Sequence, residues 1–313
     1  MTSASAGAPA VAIVVVTHNS SHAIDGWLAA AEALAATCPL ELCVVDSGSD
    51  PDELAHLREH VEGRVASLVA LPNVGFGRAC NAGAEATSAA AIIFTNPDTR
   101  IVSLPAAVSR GEGVDGVMGG FSVEADGSRV PLGFAHLPTL RWEIRNMLFG
   151  RHVEVFHRTA DAPAWVLGGA LAIDRGDFDR AGGFLRRLFL FFEDADLCAV
   201  HAELGGRVHV DPAFVVEHDG SASSRPRRDV DLDGVARESG RIFVARHGSR
   251  WHAAVLYLLL LVWYVPRRVA LELLRRVRGR RSTDSLRVVV LCLLFPSIVK
   301  RRLGVPRADR DPR

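Results

Sequence analysis

The first hundred residues alternate between short apolar runs and longer segments of helical composition. The apolar runs are rich in β-branched residues and lie at 11–16, 40–45, 65–71 and 91–94. The segments at 21–36, 51–62 and 78–88 have the composition of helices. Strands that are apolar on both faces and alternate with helices predict an α/β fold, a parallel sheet covered on both sides. Ligands of such sheets bind beyond the carboxyl ends of the strands, so the residues that follow each strand are the candidates for a site.

The pattern changes after residue 114. Apolar residues at 114–121 predict a strand, and residues 122–134 predict a hairpin that turns at Asp126-Gly127. Residues 136–163, rich in Arg and His, are predicted to be irregular, and 165–173 to form another strand. A helix is predicted from Glu193 to Leu204, and it stops at Gly205-Gly206. A strand pair is predicted at 207–216, leading to His218. A Ser/Arg/Pro loop at 221–228 and a helix at 231–247 follow.

The C-terminal residues 250–313 form a basic, apolar tail. They hold 15 Arg/Lys and 4 Asp/Glu, about +11, whereas the rest of the chain sums to about −11 and the whole to +0. Their two apolar runs, 253–265 and 286–299, are shorter than the ~20 residues that span a bilayer. Short apolar helices around the arginines of 275–281 predict peripheral or re-entrant association with an anionic membrane surface. Two helices packed on the domain with a solvated basic turn are the alternative.

These observations divide the chain into a disordered start at 1–10, a globular domain at 11–250 and a membrane-associating tail at 251–313. The start is rich in Ala, Ser and Gly and lacks the features of a signal peptide, and the five cysteines form no CxxC pair. We therefore expect a reducing compartment and a location at the cytoplasmic face of the membrane. A zinc site and a disulfide framework are not expected, and no nucleic-acid partner is expected.

Polar residues follow three of the predicted strands. Thr17 and Asn19 follow the first strand, Asp46 the second, and Asp98 the fourth after Asn-Pro. Asp46 can accept hydrogen bonds from a ribose or a base edge, with the Thr17 hydroxyl beside it. Each of these residues alone is equally typical of a helix N-cap, but their shared sheet edge favours a site.

Asp98 offers a carboxylate for Mg²⁺ or Mn²⁺ bridging a diphosphate, and His218, after a late strand, is the candidate second ligand. Taken singly, such an Asp is equally typical of a turn and such a His of a structural contact.

The segment 73–83 and the acidic cluster at 193–196 are the other candidates. Gly75 and Gly77 let backbone approach a ligand, and the helix after them presents its positive end to phosphates. The segment lacks the third glycine of the dinucleotide fingerprint, and no P-loop motif occurs. The cluster Glu193-Asp194-x-Asp196 follows the aromatic run 188–192. Acids in a first helical turn also favour the helix dipole, but a partly buried carboxylate here has the setting of a general base.

As an ordered series these motifs resemble the family 2 glycosyltransferases, which have the GT-A fold. The resemblance covers about 11–250, and its stretches include Val15-Val16-Thr17-His18-Asn19, Asp46-Ser47-Gly48-Ser49, Asn73-x-Gly75-Phe76-Gly77-x-x-x-Asn81, Asn96-Pro97-Asp98, Phe192-Glu193-Asp194-x-Asp196 and Glu217-His218. The 96–98 and 192–197 stretches resemble bacterial rhamnosyltransferases that act on polyprenyl-diphosphate-linked acceptors. Two positions depart from the family. His18 stands where an aromatic residue is common, and Asn96 replaces the first Asp of the DxD motif.

The resemblance implies a role for each residue. Asp194 would deprotonate the acceptor hydroxyl, Glu193 and Trp165 would shape the acceptor side, and Asp98 and His218 would hold Mg²⁺ or Mn²⁺. Arg225 would stabilise the departing diphosphate. The remaining donor-binding residues would be Thr17, Asn19, Asp46, Asn73, Gly75, Arg78 and Asn81.

The implied reaction is an inverting transfer of one sugar, L-rhamnose from dTDP-rhamnose, to a lipid-linked or cell-envelope glycan. Two alternatives stay open, namely another donor such as UDP-galactofuranose and a non-catalytic, membrane-bound protein that only binds a nucleotide sugar. A processive synthase is disfavoured because no QxxRW motif and no full transmembrane helices are visible. A nucleotidyltransferase is disfavoured because no Gly-rich loop follows the first strand.

Overall fold

The computed structural model describes residues 9, 11–64, 66–149, 157–218 and 232–277. The N-terminal half contains the predicted alternation, with the elements β1 Val11–Thr17, α1 Ser21–Ala35, β2 Leu40–Ser47, α2 Pro51–Val61, β3 Ala66–Leu71, α3 Phe76–Glu85 and β4 Ala91–Thr95. The four strands are parallel in the order β3-β2-β1-β4, which confirms the predicted parallel sheet.

Further strands extend this sheet beyond β4. The elements are β5 Thr99–Ser103, α4 Ala106–Ser109, β6 Val117–Val123, β7 Arg129–Pro131, β8 Gly133–Phe134, α5 Leu140–Phe149, β9 Trp165–Val166, β10 Ala170–Asp174, α6 Arg175–Ala181, α7 Glu193–Glu203, β11 Val208–His218 and α8 Leu232–His247. The sheet continues from β4 as β10-β6-β11-β5, with β7 paired to β6 through the predicted turn at Asp126-Gly127. β10 runs antiparallel to β4 and β6, so the sheet is mostly parallel but mixed.

Both faces of the sheet are covered, which explains the uniformly apolar strands. In β1 the side chains of Val11, Ile13 and Val15 pack in one core with α1 and α2. The alternate residues Val14 and Val16 pack in a second core with α3, α6 and α7. Successive residues of a strand point to opposite faces, so a strand buried on both sides must be apolar at every position.

Several predicted elements differ from the structure. The strand predicted at 165–173 is two strands, β9 and β10, because Leu167-Gly168-Gly169 leaves the ladder between them. The strand pair predicted at 207–216 is one strand, β11, whose register shifts between Val210 and Val215. Pro212 lies in this shift and has no N–H to donate to a ladder.

Four further elements, α4, α5, α6 and β5, were not predicted. The irregular stretch predicted at 136–163 contains α5, whose Leu140 and Ile144 recur at helical spacing and pack near Leu256. β5 was not predicted either, because it begins directly after Asp98 and is only five residues long.

The chain beyond α8 continues as helix in its described part. α9 spans Arg250–Leu259, a π-helical stretch Leu260–Tyr264 follows, and α10 spans Val265–Val277. Leu256 of α9 packs on Val244 of α8, with α5 alongside. Within the residues that the structure describes, none of the helices combines the length and the hydropathy needed to cross a bilayer. The second apolar run at 286–299 lies outside these residues, as does the predicted site residue Arg225.

Candidate active site

The carboxyl ends of β1, β2 and β4 meet at one edge of the sheet. Thr17 pairs in register with Asp46, and the pairing of Val15 with Thr95 brings the Asn96-Pro97-Asp98 turn alongside. Thr17 is buried, and its hydroxyl has no hydrogen-bond partner in the described part of the chain. This hydroxyl and the turn beside it are therefore available to a ligand at this edge.

Asp46 uses its carboxylate to order the turn that follows β2. Its Oδ2 accepts hydrogen bonds from the backbone N–H groups of Gly48 and Ser49, each at 3.1 Å, and Oδ1 accepts from the Ser49 hydroxyl. Asn19 joins the same turn, because its N–H donates to Ser49 Oγ at 2.8 Å and its Oδ1 accepts from the N–H of Asp50 at 2.8 Å. Both residues thus have a structural function, and their donor-binding roles stay predictions.

The loop after β3 is pressed against this turn. Gly48 has a positive φ of 73°, and a Cβ there would lie 2.2 Å from the backbone N of Asn73. The Ser47 hydroxyl accepts a hydrogen bond from the N–H of Val74 at 3.2 Å. Asn73 is therefore held next to Asp46, at the edge where the nucleoside is predicted to bind.

α3 is tied to the segment that leads into α7. The Asn81 amide donates to the Phe184 carbonyl and accepts from the Phe184 N–H, both at 2.9 Å. Arg78 Nε donates to the Arg186 carbonyl at 2.6 Å. These contacts give Asn81 and Arg78 a tertiary role, since they join residues more than a hundred positions apart.

Gly75 makes the closest approach to that segment. Its φ is 85°, and a Cβ there would lie 2.0 Å from the Phe189 carbonyl oxygen, which accepts a hydrogen bond from the N–H of Phe76 at 2.9 Å. The glycine is required by this backbone contact, whereas the sequence predicted an approach to a ligand. Its ligand role stays a prediction.

Asp98 and His218, the predicted metal ligands, lie next to each other. β5 and β11 pair antiparallel with Thr99 opposite His218, which brings Asp98 Oδ1 to 3.5 Å from His218 Nε2. Asp98 is 7% exposed, and its Oδ1 has no hydrogen-bond donor within the described residues. A buried carboxylate oxygen without a donor beside an imidazole nitrogen fits a divalent cation.

No further ligand joins this pair among the residues described. No group of three His, Cys, Asp or Glu side chains in those ranges is arranged to hold a metal ion. Mg²⁺ and Mn²⁺ in phosphate-transfer sites are often bound by one or two protein groups, with the substrate phosphates and water completing the shell. The pair therefore fits a metal that binds together with a nucleoside diphosphate.

Asp194 is a buried carboxylate at the start of α7. Its Oδ2 accepts a hydrogen bond from the N–H of Gly168 at 2.9 Å, and Oδ1 accepts from the N–H of Ala195 at 2.8 Å. Burial raises the pKa of Asp194 to about 6 despite these donors. A carboxylate with this pKa is ionised at neutral pH and is a stronger base than an exposed one.

Glu193 lies against α3. A Cβ placed on Gly77 of α3 would lie 3.3 Å from Glu193 Cβ, with Phe184 as its other near neighbour. Its Oε2 is buried without a hydrogen-bond partner in the described part of the chain. Burial, and next the charge of Asp194, raise the pKa of Glu193 to about 8, so this carboxyl is neutral at pH 7.

The two residues before α7 have a conformation that is rare for bulky side chains. Phe191 has φ of 72° and Phe192 has φ of 67°. Such left-handed geometry costs of order 1–3 kcal/mol per residue and is concentrated at functional sites. It has no signal in the sequence, because phenylalanine gives no reason to expect it.

Gly168 and Gly169 connect the two halves of the site. The N–H of Gly168 binds Asp194, while the carbonyl of Gly169 accepts a hydrogen bond from the N–H of Asn96 at 3.3 Å. A Cβ on Gly169 would lie 2.7 Å from Asn96 Nδ2, so a larger residue there would displace the Asn96 side chain. The connection places the turn that carries Asp98 and the helix that carries Asp194 on either side of one short segment. In the sequence these glycines lie within a predicted strand and match a motif of the resembled family, but no role was predicted for them.

Trp165 lies in the small sheet next to this segment. Its ring stacks on Phe134 at a centroid distance of 4.2 Å, and its Nε1 donates to the His136 carbonyl at 3.0 Å. The side chain is 5% exposed. Trp165 therefore supports the wall beside α7, and its contact with an acceptor stays a prediction.

Comparison with known proteins agrees with this geometry. Residues 12–102 match the model of the family described as Glycosyl transferase family 2. The N-acetylglucosaminyl-diphospho-decaprenol L-rhamnosyltransferases of two Mycobacterium tuberculosis strains, CDC 1551 / Oshkosh and ATCC 25618 / H37Rv, are each 27% identical to the chain over 277 residues, covering 79% of this chain and 88% of theirs.

A solved structure shares the fold. The mannosyltransferase PcManGT from Pyrobaculum calidifontis, in complex with GDP-Man and Mn²⁺, superposes with a TM-score of 0.52 at 16% identity, covering 93% of this chain and 88% of that one. Its fold is the predicted one, an α/β sheet flanked by helices. The chain therefore has the GT-A fold, and its residues 12–102 match the glycosyltransferase family 2 model.

Proposed function

We propose that the chain transfers one L-rhamnose from dTDP-L-rhamnose to a sugar on a polyprenyl diphosphate, with inversion at the anomeric carbon. The observation that carries this proposal is the Gly168–Gly169 connection, which brings the Asp194 carboxylate and the Asp98 turn to one site. The rhamnosyl donor and the lipid-linked acceptor are inferred from the mycobacterial relatives, whose names specify that acceptor and that sugar.

Asp194 acts as the general base. Its carboxylate takes the proton of the acceptor hydroxyl while the hydroxyl oxygen bonds to the anomeric carbon, and the bond from that carbon to the diphosphate oxygen breaks. A single base on the acceptor side, with no nucleophile that forms a covalent intermediate, leads to inversion. The hydrogen bond from Gly168 and the buried surroundings hold the carboxylate in place.

Thr17, Asp46 and Asn73 bind the nucleoside at the sheet edge, and Asp98 and His218 hold Mg²⁺ or Mn²⁺ against the diphosphate. The cation, when bound, neutralises charge that develops on the leaving diphosphate. The orphaned Oδ1 of Asp98 supports this assignment. The solved mannosyltransferase, which has the same fold, was determined with Mn²⁺ and a nucleotide sugar.

The helices beyond α8 face an anionic membrane, where the lipid acceptor resides. Nine of the twelve large apolar side chains that are exposed among the described residues lie between Trp251 and Val277. Trp251, Val255 and Leu258 recur at the spacing of one face of α9, opposite Leu256, which packs on the domain, and Val262 is exposed in the π-helical stretch that follows. Exposed aromatic and aliphatic residues with nearby arginines such as Arg267 are typical of an interfacial helix. We assign the enzyme to the cytoplasmic face of the membrane.

The proposal is tested by incubating purified protein with a panel of nucleotide sugars and a short-chain polyprenyl-diphosphate-GlcNAc. We expect mass spectrometry to show addition of one rhamnose, only from dTDP-L-rhamnose, and NMR to show the inverted anomer. Transfer from UDP-galactofuranose instead would overturn the donor assignment. Donor binding without any turnover would identify a binding protein, and a retained configuration would exclude the direct displacement.

The metal assignment has a separate test. Electron paramagnetic resonance of Mn²⁺ should show binding that strengthens in the presence of dTDP, and Asp98→Asn should weaken it at least about tenfold. Asp126→Asn is the control, because it changes an exposed carboxylate in the turn between β6 and β7. Unchanged Mn²⁺ binding in Asp98→Asn would refute the site.

A further inference from the structure

Asp196 is a third carboxylate of the α7 cluster, and it has partners different from those of Asp194. It is 1% exposed, and it lies two residues after Asp194, about 200° around the helix. Its Oδ1 lies 2.7 Å from His247 Nε2 and 3.1 Å from Arg246 Nε. The side chain therefore faces α8 and has no place in the proton transfer itself.

The His247 ring contacts residues near both ends of α7. Its Nδ1 lies 3.4 Å from Glu203 Oε1 at the end of α7, while its Nε2 reaches Asp196 in the first turn. Asp196 and Glu203 are seven residues apart and so share a helix face. The imidazole is thus held between two carboxylates of the same helix, which fixes the rotation of α7 against α8.

α8 also holds the strained segment before α7. The Ser239 hydroxyl donates to the Leu190 carbonyl at 2.7 Å. The Phe243 ring lies 4.6 Å from the His247 ring and 6.1 Å from the ring of Phe192. Contacts of one helix therefore enclose both the unfavourable backbone of Phe192 and the first turn that follows it.

We infer that Asp196, Arg246 and His247 form a positioning network for Asp194. The inference rests on the proposed function, in which Asp194 is the base. A left-handed Phe191-Phe192 pair relaxes unless its surroundings hold it, and relaxation would rotate the first turn of α7. Asp194 would then lose its alignment with the acceptor hydroxyl, and small misalignments of a reacting group cost large factors in rate.

His247→Ala is the first test, because Arg246 still compensates the Asp196 charge and the fold should persist. We expect kcat for sugar transfer to fall about tenfold or more, with the donor KM unchanged. His247→Gln keeps a donor near the position of Nε2 and should restore most of the rate. Glu238→Gln, which breaks an ion pair with Arg241 on the same helix, is the control and should leave kcat unchanged.

Hydrogen exchange gives a readout that does not depend on the reaction. In His247→Ala and in Asp196→Asn the amides of 190–196 should exchange at least about tenfold faster than in the wild type, while those of β1 and β2 stay protected. Unchanged exchange together with unchanged kcat in His247→Ala would overturn the network. If the wild type transferred no sugar, the proposed function would be refuted. The network would still be tested, because amide exchange is measured without the reaction. A loss of protection throughout the domain, or a loss of kcat that His247→Gln does not restore, would show a purely structural role and would also overturn the inference.

Discussion

At the scale of single residues, Asp194 is the proposed base, so transfer should depend on it more than on any other side chain. Asp194→Asn keeps the shape, and its amide oxygen can still accept the Gly168 N–H, but its NH₂ group can accept neither the Ala195 N–H nor the proton of the acceptor. We expect kcat to fall about 10²–10⁴-fold with donor binding unchanged, measured by steady-state kinetics and by calorimetry with dTDP. Asp52→Asn, in the exposed first turn of α2, is a matched control. Normal turnover of Asp194→Asn would refute the assignment of the base.

The same residue sets an expected pH dependence. Burial raises the pKa of Asp194 to about 6, and the ionised form is the one that accepts a proton. The rate should therefore fall as the pH drops through about 6. A kcat profile that stays flat from pH 7 down to pH 5 would contradict this role.

Glu193 should affect stability more than rate. Its pKa is raised from 4.5 to about 8 in the folded chain, chiefly by burial. Between these values the unfolded chain loses the proton while the folded chain keeps it, so stability is full at low pH and is lost as the pH rises to about 8. From pH 7 to 9, above the range of Asp194, the free energy of unfolding should fall by roughly 1–2 kcal/mol.

Glu193→Gln should remove this slope and stay active at pH 7, where the wild-type carboxyl is already neutral. Urea unfolding at pH 7, 8 and 9 measures the slope, with Glu59→Gln on an exposed face as the control. A slope that persists in Glu193→Gln would show that other groups cause it.

The sequence predicted the proximity of some of these residues and not of others. Strand ends brought Thr17 and Asp46 together because parallel strands share one carboxyl edge. Asp98 and His218 are 120 positions apart; their places after strands made them candidate ligands of one metal ion, and the resemblance to a family implied the same pairing. The hydrogen bonds of Asn81 with Phe184 and of Asp196 with His247 could not be predicted from any local sequence pattern, because both depend on how distant segments pack.

At the scale of elements, Gly75 and Gly127 form a natural comparison. Both have positive φ, 85° and 80°. A Cβ on Gly75 would clash with the Phe189 carbonyl, whereas a Cβ on Gly127 would have no described atom within 4 Å. Gly127→Ala should cost about 1 kcal/mol from backbone strain alone. Gly75→Ala should cost about 1–3 kcal/mol more and should weaken dTDP binding, because the loop of Asn73 must move. Equal losses in urea unfolding would contradict the close approach.

Element prediction succeeded where periodicity was strong and neighbours were sequential. The apolar runs of β1 to β4 specified a parallel sheet, since burial on both faces leaves no polar position. The prediction of a single strand at 165–173 was wrong, because the Gly168 N–H binds Asp194 and the chain leaves the sheet between β9 and β10. α5 was missed although its Leu140 and Ile144 recur at helical spacing, because the many Arg and His residues around it suggested a loop.

At the scale of the whole molecule, the acidic domain and the basic C-terminal helices bear on how the proposed enzyme would bind a lipid-linked acceptor. α9 packs on α8 and α5 through Leu256, and its opposite face is exposed, with Leu258 60% accessible; Val262, in the π-helical stretch that follows, is 67% accessible. α9 begins three residues after His247, so the proposed membrane surface and the network that positions Asp194 adjoin. Binding to vesicles should therefore slow amide exchange at 190–196 as well as bury α9.

The membrane assignment predicts binding to vesicles with anionic lipid that weakens as salt is raised. Leu258→Ser with Val262→Ser should reduce the bound fraction in co-sedimentation by about tenfold or more, because each buried apolar side chain contributes about 1.5–3 kcal/mol. Leu204→Ser, which removes an exposed leucine at the end of α7, should have no effect. Vesicle binding that is equal in the double variant and the wild type would refute the surface. If instead the wild type alone formed dimers in light scattering and ignored vesicles, the face would belong to a second copy of the chain.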